Sequence, residues 1–307
     1  MQLLSPTKNE RIEKVKLFRE ACLKANFQEI GPHVFELKGN FSKTLTLCTL
    51  VHGNEIGGIE IFLKLLEGIQ NNKLSIKSNI RLMLGNVDAY YEDKRFLESD
   101  LNRSFKIESG HTTREELRAL ELEKYLHDTD VLIDIHQTIG PTSTAFFIFE
   151  FEQTSYNLAR VLKKDLPVVI SANKRAFKGV TTTSYIIGRK GIAITIETGQ
   201  KSIDDTQISM GLQISRQAIE MDFTKTIPTS EIENSFVSSQ TILNPDGSLE
   251  LVKKYNNFDS VKMGELLAKN TEKEVHCEFD GKILFPKYGE YARSSAELAQ
   301  ILKPFKL

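Results

Sequence analysis

"LTLCTLVHGNEIGG", residues 45–58, joins an unbroken apolar run to a turn that carries a histidine, a glutamate and glycines. A strand with one face in water alternates apolar and polar residues, so the unbroken run 45–51 predicts a strand covered on both faces. The segment that follows, "GGIEIFLKLLEGI", predicts a helix over 57–70. His52 and Glu55 therefore lie beyond the end of a buried strand, where a curved backbone can aim both side chains at one point.

Buried strands and helices continue to alternate along the first 228 residues. Apolar runs predict further strands at 80–85, 131–135, 145–149, 167–171 and 192–196. The helical spacing of apolar residues predicts helices at 10–25, 113–127, 154–164 and 206–222. The second of these helices begins with a capping box formed by Thr113 and Glu116. The alternation predicts an α/β fold with a largely buried sheet flanked by helices.

The pattern changes after residue 228, where "NPDG" and "FDG" turns separate short alternating stretches such as "SLELV" and "KILF". We therefore expect two domains. Residues 1–228 form an α/β domain with a helical extension over 1–30, and residues 229–307 form a small β-rich domain.

Charge and cysteine content restrict the class of protein. The 40 Lys and Arg residues nearly balance the 41 Asp and Glu residues, so no overall field attracts nucleic acid or an anionic membrane. The 3 cysteines include no CxxC pair, which argues against a disulfide framework or a thiolate zinc cluster. No apolar run approaches the roughly 18 residues of a membrane span or forms a signal peptide. We expect a cytoplasmic protein with a small-molecule or peptide partner.

A second His-x-x-Glu pair shows that the spacing alone predicts little. His33 and Glu36 lie in "HVFELKG", which predicts a strand, and strand residues three apart point to opposite faces. They cannot easily share an ion. His52 and Glu55 differ because they lie in a turn, where the alternative to a metal role is a polar turn after a strand.

A third ligand and a free carboxylate are predicted at the ends of two other strands, because sites in open α/β sheets form past the carboxyl ends of strands. His136 follows the apolar run in "VLIDIHQT", and Asp134 beside it could orient the imidazole. Glu197 ends the strand of "IAITIETGQ". The alternative for His136 is a structural histidine at a strand end.

Two histidines and one carboxylate bind Zn²⁺ while leaving a fourth position for water. Such a site is catalytic, since the ion lowers the pKa of bound water toward about 7 and polarises a carbonyl oxygen. A free carboxylate can take the water's proton and pass it to a leaving amine. Glu197 is the candidate for that role, and we expect one Zn²⁺ per chain.

The segment "KRFLESDLNRSF", residues 94–105, carries two arginines between the first and third predicted ligands. The guanidinium groups of Arg95 and Arg103 can bind a substrate carboxylate or stabilise a developing oxyanion, and the amide of Asn102 adds a donor. The alternative is two solvated surface arginines.

Together, "HGNE", "DLNR", "DIHQT" and "IETG" resemble the succinylglutamate desuccinylase and aspartoacylase family of the zinc carboxypeptidase superfamily. The resemblance runs from about residue 33 to about residue 200 and resumes in "MGELLAK" and "ILFP". It implies a carboxypeptidase-like zinc domain with a mixed central sheet, a β domain after it, and hydrolysis of an N-acyl amino acid such as N-succinylglutamate or N-acetylaspartate.

The resemblance also implies a role for each residue. His52, Glu55 and His136 match the zinc ligands, and Glu197 matches the general base and acid. Arg95 matches the arginine that polarises the substrate carbonyl, and Asn102 with Arg103 matches the pair that binds the α-carboxylate. Four further residues could reach the acyl group, and the sequence does not select among them: Tyr185, Arg189, Tyr291 and Arg293.

Three other functions remain open at this point. A carboxypeptidase of the same superfamily would cleave a short peptide or a cell-wall fragment. A zinc-containing binding protein would hold an acyl amino acid without turnover, although Glu197 and both arginines are present. A scaffold would bind another protein through its β domain. The sequence does not indicate the oligomeric state.

Overall fold

The computed structural model describes residues 6–142, 144–171, 179–294 and 296–306. Residues 1–5 of the expected N-terminal extension lie outside this part of the chain. Within it the helices are α1 Lys8–Lys24, α2 Gly57–Gln70, α3 Val87–Tyr91, α4 Arg114–Leu126, α5 Gln153–Leu162, α6 Thr182–Ile187, α7 Asp205–Glu220 and α8 Gly289–Arg293. A single 3₁₀ turn covers Leu101–Arg103.

Most of the chain's strands join one sheet. In chain order the strands are β1 Gln28–Gly31, β2 Val34–Leu37, β3 Thr44–Thr49, β4 Asn79–Leu84, β5 Val131–Thr138, β6 Phe146–Phe149, β7 Val168–Ile170, β8 Ile192–Gln200, β9 Ser235–Leu243, β10 Glu250–Leu251, β11 Ser260–Val261, β12 Leu266–Lys269, β13 Glu274–His276, β14 Gly281–Leu284 and β15 Glu297–Pro304. Within the described residues, 12 strands are ordered β1-β2-β4-β3-β5-β8-β6-β7-β9-β15-β14-β11, and β10, β12 and β13 form a separate sheet.

The large sheet is mixed, as expected. Strands β4, β3, β5 and β8 run parallel to one another, while β6 is antiparallel to β8. Strands β6, β7 and β9 are again parallel, and the outer strands at both ends are antiparallel. Parallel strands need crossover connections, which the helices between them provide. The predicted α/β class is confirmed.

The central strands are buried on both faces because helices cover each side. One apolar cluster joins Leu47 and Ile133 to α2 and α7, and includes Phe62 and Ile214. On the opposite side, Leu132 packs in a second cluster with residues of α4 and α6. Every residue of β3, β4 and β5 is buried. The unbroken apolar runs in the sequence therefore correspond to strands without a wet face.

The predicted helices agree with α1, α2, α4, α5 and α7 to within two residues at each end, and the predicted capping box is present at the start of α4. Two strands are longer than predicted. β5 extends to Thr138 and β8 to Gln200, so His136 and Glu197 lie inside strands rather than beyond them. The ladder continues past the apolar run because His136 pairs with Glu197 across the two strands. Apolar runs mark only the part of a strand that helices cover.

Among the described residues after 228 the regular elements are strands apart from the short helix α8, and an apolar cluster of their own packs among them. Their first strand, β9, pairs in parallel with β7, and β15 pairs with β9, so they continue the same sheet. The chain is thus linked across residue 228 by backbone hydrogen bonds. A domain boundary at 228/229 stays a prediction.

The N-terminal helix α1 docks through a fully buried arginine. Arg11 donates from Nη1 to the carbonyl of Tyr90 at 3.1 Å and from Nε to the carbonyl of Pro6 at 3.1 Å. Its Nη2 lies 2.6 Å from a carboxylate oxygen of Asp93, and the guanidinium lies 5.0 Å from the Tyr90 ring centre. Helix α1 is therefore fixed to α3.

No helix in the described part of the chain has the length and apolar content needed to cross a membrane.

We expect Arg11→Ala to lower the free energy of unfolding by about 2–4 kcal/mol, because it leaves two backbone carbonyls without their buried donor. Arg19→Ala on the same helix is the control, since the Arg19 side chain is 55% exposed and exposed ion pairs contribute little. Urea denaturation followed by circular dichroism measures both variants. Equal stability of the two variants would contradict the role of Arg11.

Candidate metal centre and active site

The turn after β3 carries His52 and Glu55 and is packed tightly against α3. A Cβ atom on Gly53 would lie 2.2 Å from the backbone nitrogen of Tyr90, so only glycine fits there. The Gly53 N–H donates to the carbonyl of Arg95 at 3.0 Å. This close approach fixes the turn relative to the segment that carries the arginines.

The structure brings His52, Glu55 and His136 together. One ligand atom from each residue lies within 4.8 Å of the others, and all three side chains are buried. Glu55 Oε1 lies 2.7 Å from His52 Nδ1, and Glu55 Oε2 lies 2.9 Å from His136 Nδ1. The two Nδ1 atoms are 3.2 Å apart. Residues from a turn and a distant strand therefore direct their ligand atoms to one point.

The second nitrogen of each imidazole faces a carboxylate. His52 Nε2 lies 3.1 Å from Asp100 Oδ1, and His136 Nε2 lies 3.0 Å from Asp134 Oδ2. Carboxylates in this position orient metal-binding histidines and raise the basicity of the ligand nitrogen. Two imidazoles and a carboxylate, held this way and buried, fit Zn²⁺.

A role for Asp134 was predictable from the sequence, whereas a role for Asp100 was not. The signal for Asp134 was its place two residues before His136 on one strand. Asp100 lies 48 residues from His52 along the chain, and it meets the imidazole through an irregular segment that no spacing rule describes. A role for Gln137 was not predicted either: its backbone N–H donates to Glu55 Oε2 at 3.0 Å.

Two pKa shifts follow from the burial of these charges. Burial alone would raise the pKa of Glu55, but the charges of His52 and His136 lower it overall. Burial would lower the pKa of His136, but Asp134 and Glu55 raise it well above its usual value. Glu55 is thus held as a carboxylate, the state in which it binds a cation.

Glu197 lies beside the metal-ligand cluster. It pairs with His136 across adjacent parallel strands, which places the two side chains on the same face of the sheet. Glu197 is 8% exposed, and its Oε2 has no hydrogen-bond partner among the described residues. Burial, and then the negative charge of Glu55, raise the pKa of Glu197 to about 8. A carboxyl group with such a pKa can exchange a proton near neutral pH.

The predicted arginine segment also reaches the site. Arg95 Nη1 lies 3.3 Å from Glu55 Oε1, and its Nη2 lies 3.5 Å from Asp100 Oδ2. Asn102 accepts through Oδ1 from the backbone N–H of Thr182 at 3.0 Å, which leaves its amide nitrogen as the donor. Arg103 Nη1 donates to the carbonyl of Asn102 at 2.5 Å. These arginines are partly buried beside the ligands rather than solvated on an open surface.

One cavity of about 710 Å³ contains all seven predicted site residues in its lining. Strand ends and loops form one side of it, and residues after 228 form another. The latter include Phe285, Lys287, Tyr291, Ser294, Glu297 and Gln300. A cavity of this size accommodates a small organic molecule.

The four candidates for contact with an acyl group differ in whether they line the cavity. Tyr291 does, whereas Tyr185, Arg189 and Arg293 do not. Tyr185 is buried, with its ring centre 6.2 Å from that of Phe105, and Arg189 lies over the Tyr185 ring at 5.6 Å.

The pair His33 and Glu36 is outside the metal-ligand cluster, and Glu36 pairs instead with a buried arginine of β4.

Comparison with known proteins gives one consistent family. The model of the succinylglutamate desuccinylase/aspartoacylase catalytic domain matches residues 42–221. A succinylglutamate desuccinylase from Ectopseudomonas mendocina is 28% identical over 263 residues, which cover 79% of this chain and 78% of that protein.

Solved structures show the same fold. The crystal structure of the succinylglutamate desuccinylase from Chromobacterium violaceum superposes with a TM-score of 0.73 at 18% identity, covering 95% of this chain and 98% of that chain. Murine aminoacylase 3 gives a TM-score of 0.62 at 17% identity, with 87% and 96% covered. The family model matches more than half of the residues of this chain, so the chain belongs to the succinylglutamate desuccinylase/aspartoacylase family.

Proposed function

We propose that this protein is a zinc-dependent deacylase that hydrolyses the amide bond of an N-acyl amino acid, with one zinc per chain. Family membership makes it a hydrolase of amide bonds. The observation that carries the proposal is the convergence of His52, Glu55 and His136 within 4.8 Å of one another, beside the buried carboxylate of Glu197.

His52 Nδ1, Glu55 and His136 Nδ1 would hold the metal. A zinc ion bound there supplies a Lewis acid and lowers the pKa of a water molecule in the site. Asp100 and Asp134 keep the two imidazole rings in the orientation that directs Nδ1 inward. The donor set, rather than any single residue, selects a borderline metal such as zinc over calcium or magnesium, which prefer oxygen ligands.

Glu197 moves the proton in the proposed mechanism. Its carboxylate accepts a proton from the water that attacks the amide carbon, and then transfers it to the nitrogen of the leaving amino acid. Burial supports this role because a buried carboxylate whose Oε2 has no hydrogen-bond partner in the described structure is a stronger base than a solvated one.

The arginine segment binds and polarises the substrate. Arg95, whose guanidinium is near Glu55, is positioned to stabilise the negative charge that develops on the substrate carbonyl oxygen. Asn102 and Arg103 provide an amide donor and a guanidinium for the α-carboxylate of the amino acid. Tyr291 and its neighbours after residue 228 form the remaining wall, which we propose belongs to a separate C-terminal domain.

The relatives determine which substrate to test first. Curated relatives at 27–28% identity are succinylglutamate desuccinylases, so N-succinylglutamate is the first candidate, followed by N-acetylaspartate and other acyl amino acids. Release of free amino acid from this set, with and without chelator, tests the proposal. Peptide substrates assayed in parallel distinguish a carboxypeptidase.

Metal analysis tests the ligand set. We expect about one zinc per wild-type chain and almost none in His52→Ala or His136→Ala, because two protein ligands do not retain the ion. His33→Ala is the control, since the structure places His33 outside the cluster. Atomic emission spectroscopy on dialysed protein gives the zinc content. Undiminished zinc in His52→Ala would refute this site.

Replacing the proposed base tests the proton transfer. We expect Glu197→Gln to keep its zinc and to lose at least about 10²-fold in kcat, the usual contribution of a general base. Glu150→Gln changes an exposed carboxylate at the same cavity and should keep the wild-type kcat. Full turnover by the metal-loaded Glu197→Gln variant would exclude Glu197 as the base.

Substrate binding can be tested at Arg103. We expect Arg103→Ala to raise KM by about 10- to 100-fold, since a hydrogen bond to a charged group contributes about 1.5–3 kcal/mol. Arg114→Ala, at an exposed arginine paired with Glu98, serves as the control and should leave KM unchanged. Steady-state kinetics with the best substrate measures both. An unchanged KM in Arg103→Ala would show that the α-carboxylate binds elsewhere.

A further inference from the structure

Part of the chain that carries residues of the site has no regular secondary structure. Residues 92–100, which include Arg95 and Asp100, contain no helix or strand in the structure. Regular elements fix their own backbone through repeated hydrogen bonds, whereas an irregular segment depends on contacts from elsewhere. The positions of Arg95, beside Glu55, and of Asp100, beside His52, therefore depend on the contacts that hold residues 92–100 in place.

A buried carboxylate on α4 holds it. Glu115 is 1% exposed and accepts three consecutive backbone N–H groups. Leu97 N–H donates to its Oε1 at 2.6 Å, and Glu98 and Ser99 N–H donate to its Oε2 at 3.2 and 3.1 Å. Three successive N–H groups that converge on one carboxylate hold the backbone of residues 97–99 in this conformation.

Glu115 also connects this stretch to α3. Asn86 Nδ2 donates to Glu115 Oε1 at 3.0 Å, and Asn86 Oδ1 accepts from Ala89 N–H at the start of α3. Helix α3 in turn packs on Gly53, next to the ligand His52. The carboxylate therefore joins the two chain segments that meet at the metal site.

Glu115 is buried and does not line the cavity. The carboxylate is ionised, since its hydrogen bonds to Leu97 N–H and the Asn86 amide lower its pKa although burial raises it. Bonds of N–H groups to a charged acceptor are roughly twice as strong as neutral ones. These hydrogen bonds offset the cost of burying the Glu115 charge.

We propose that Glu115 is a positioning residue for the reaction: its carboxylate fixes the backbone of residues 97–99 and thereby places Arg95 and Asp100 at the metal site. This inference rests on the proposed function. Glu115 does not line the cavity, so its effect on the site passes through the backbone of residues 97–99 and through Asn86.

Glu115→Gln tests the proposal with almost no change in shape. The amide places an NH₂ group against N–H donors, so we expect kcat to fall about 10- to 100-fold at unchanged zinc content, as misplacement by about 1 Å does. Glu123→Gln is the matched control, because Glu123 on the same helix accepts the Lys106 N–H at 2.6 Å, outside the segment. It should keep wild-type kcat and KM.

A double-mutant cycle separates positioning from a general loss of stability. If Glu115 acts through Arg95, Glu115→Gln should cost much less in an Arg95→Ala background than in the wild type. Additive effects of the two changes would overturn the proposal. So would wild-type kcat in Glu115→Gln.

Hydrogen exchange gives a readout that needs no substrate. We expect at least one of the amides of residues 97–99 to exchange at least about 10-fold faster in Glu115→Gln than in Glu123→Gln, because the glutamine amide keeps only one of the two acceptor oxygens. Unchanged exchange there would overturn the proposal even if the enzyme hydrolyses acyl amino acids. Faster exchange in a protein that hydrolyses none of them would retain the role of Glu115 in placing the segment and reject the proposed function alone.

Discussion

The contact of one carboxylate with two imidazoles organises this molecule. Glu55 lies within hydrogen-bonding distance of both His52 and His136, and all three side chains are buried. Burying a charge without partners is costly, so the surrounding structure must supply compensating groups. Asp100 and Arg95 from the irregular segment, and Asp134 and the Gln137 backbone from β5, surround the cluster for this reason.

That arrangement explains why a sheet with both faces covered is needed. The parallel strands β3, β5 and β8 lie side by side and place their carboxyl ends at one edge. The ligand turn follows β3, His136 lies on β5 and Glu197 on β8, so the order of strands fixes the spacing of the reacting groups. Helices cover both faces of the sheet and exclude water there, and residues after 228 form one wall of the cavity.

The sequence predicted the parts of the site that regular structure positions. His52, Glu55, His136 and Glu197 were identifiable because each follows an apolar run, and strand ends meet at one edge of an α/β sheet. Asp100 and Glu115 were not, since their roles depend on the path of an irregular segment that hydropathy does not encode. Tyr291 could not be chosen over three other candidates, because its place depends on how β15 and α8 lie against β9. The lengths of β5 and β8 were underestimated for a related reason: polar residues that face a cavity continue a ladder without an apolar signature.

The parallel pairing of β7 with β9 bears on how a substrate enters. A clamshell opening, in which the residues after 228 rotate as a lid, would break that ladder and separate two halves of one continuous sheet. Backbone ladders in the middle of a sheet open rarely compared with side chains and loops at its rim. Substrate entry and product release are therefore expected to depend on rearrangement of side chains at the cavity mouth rather than on rotation of the residues after 228.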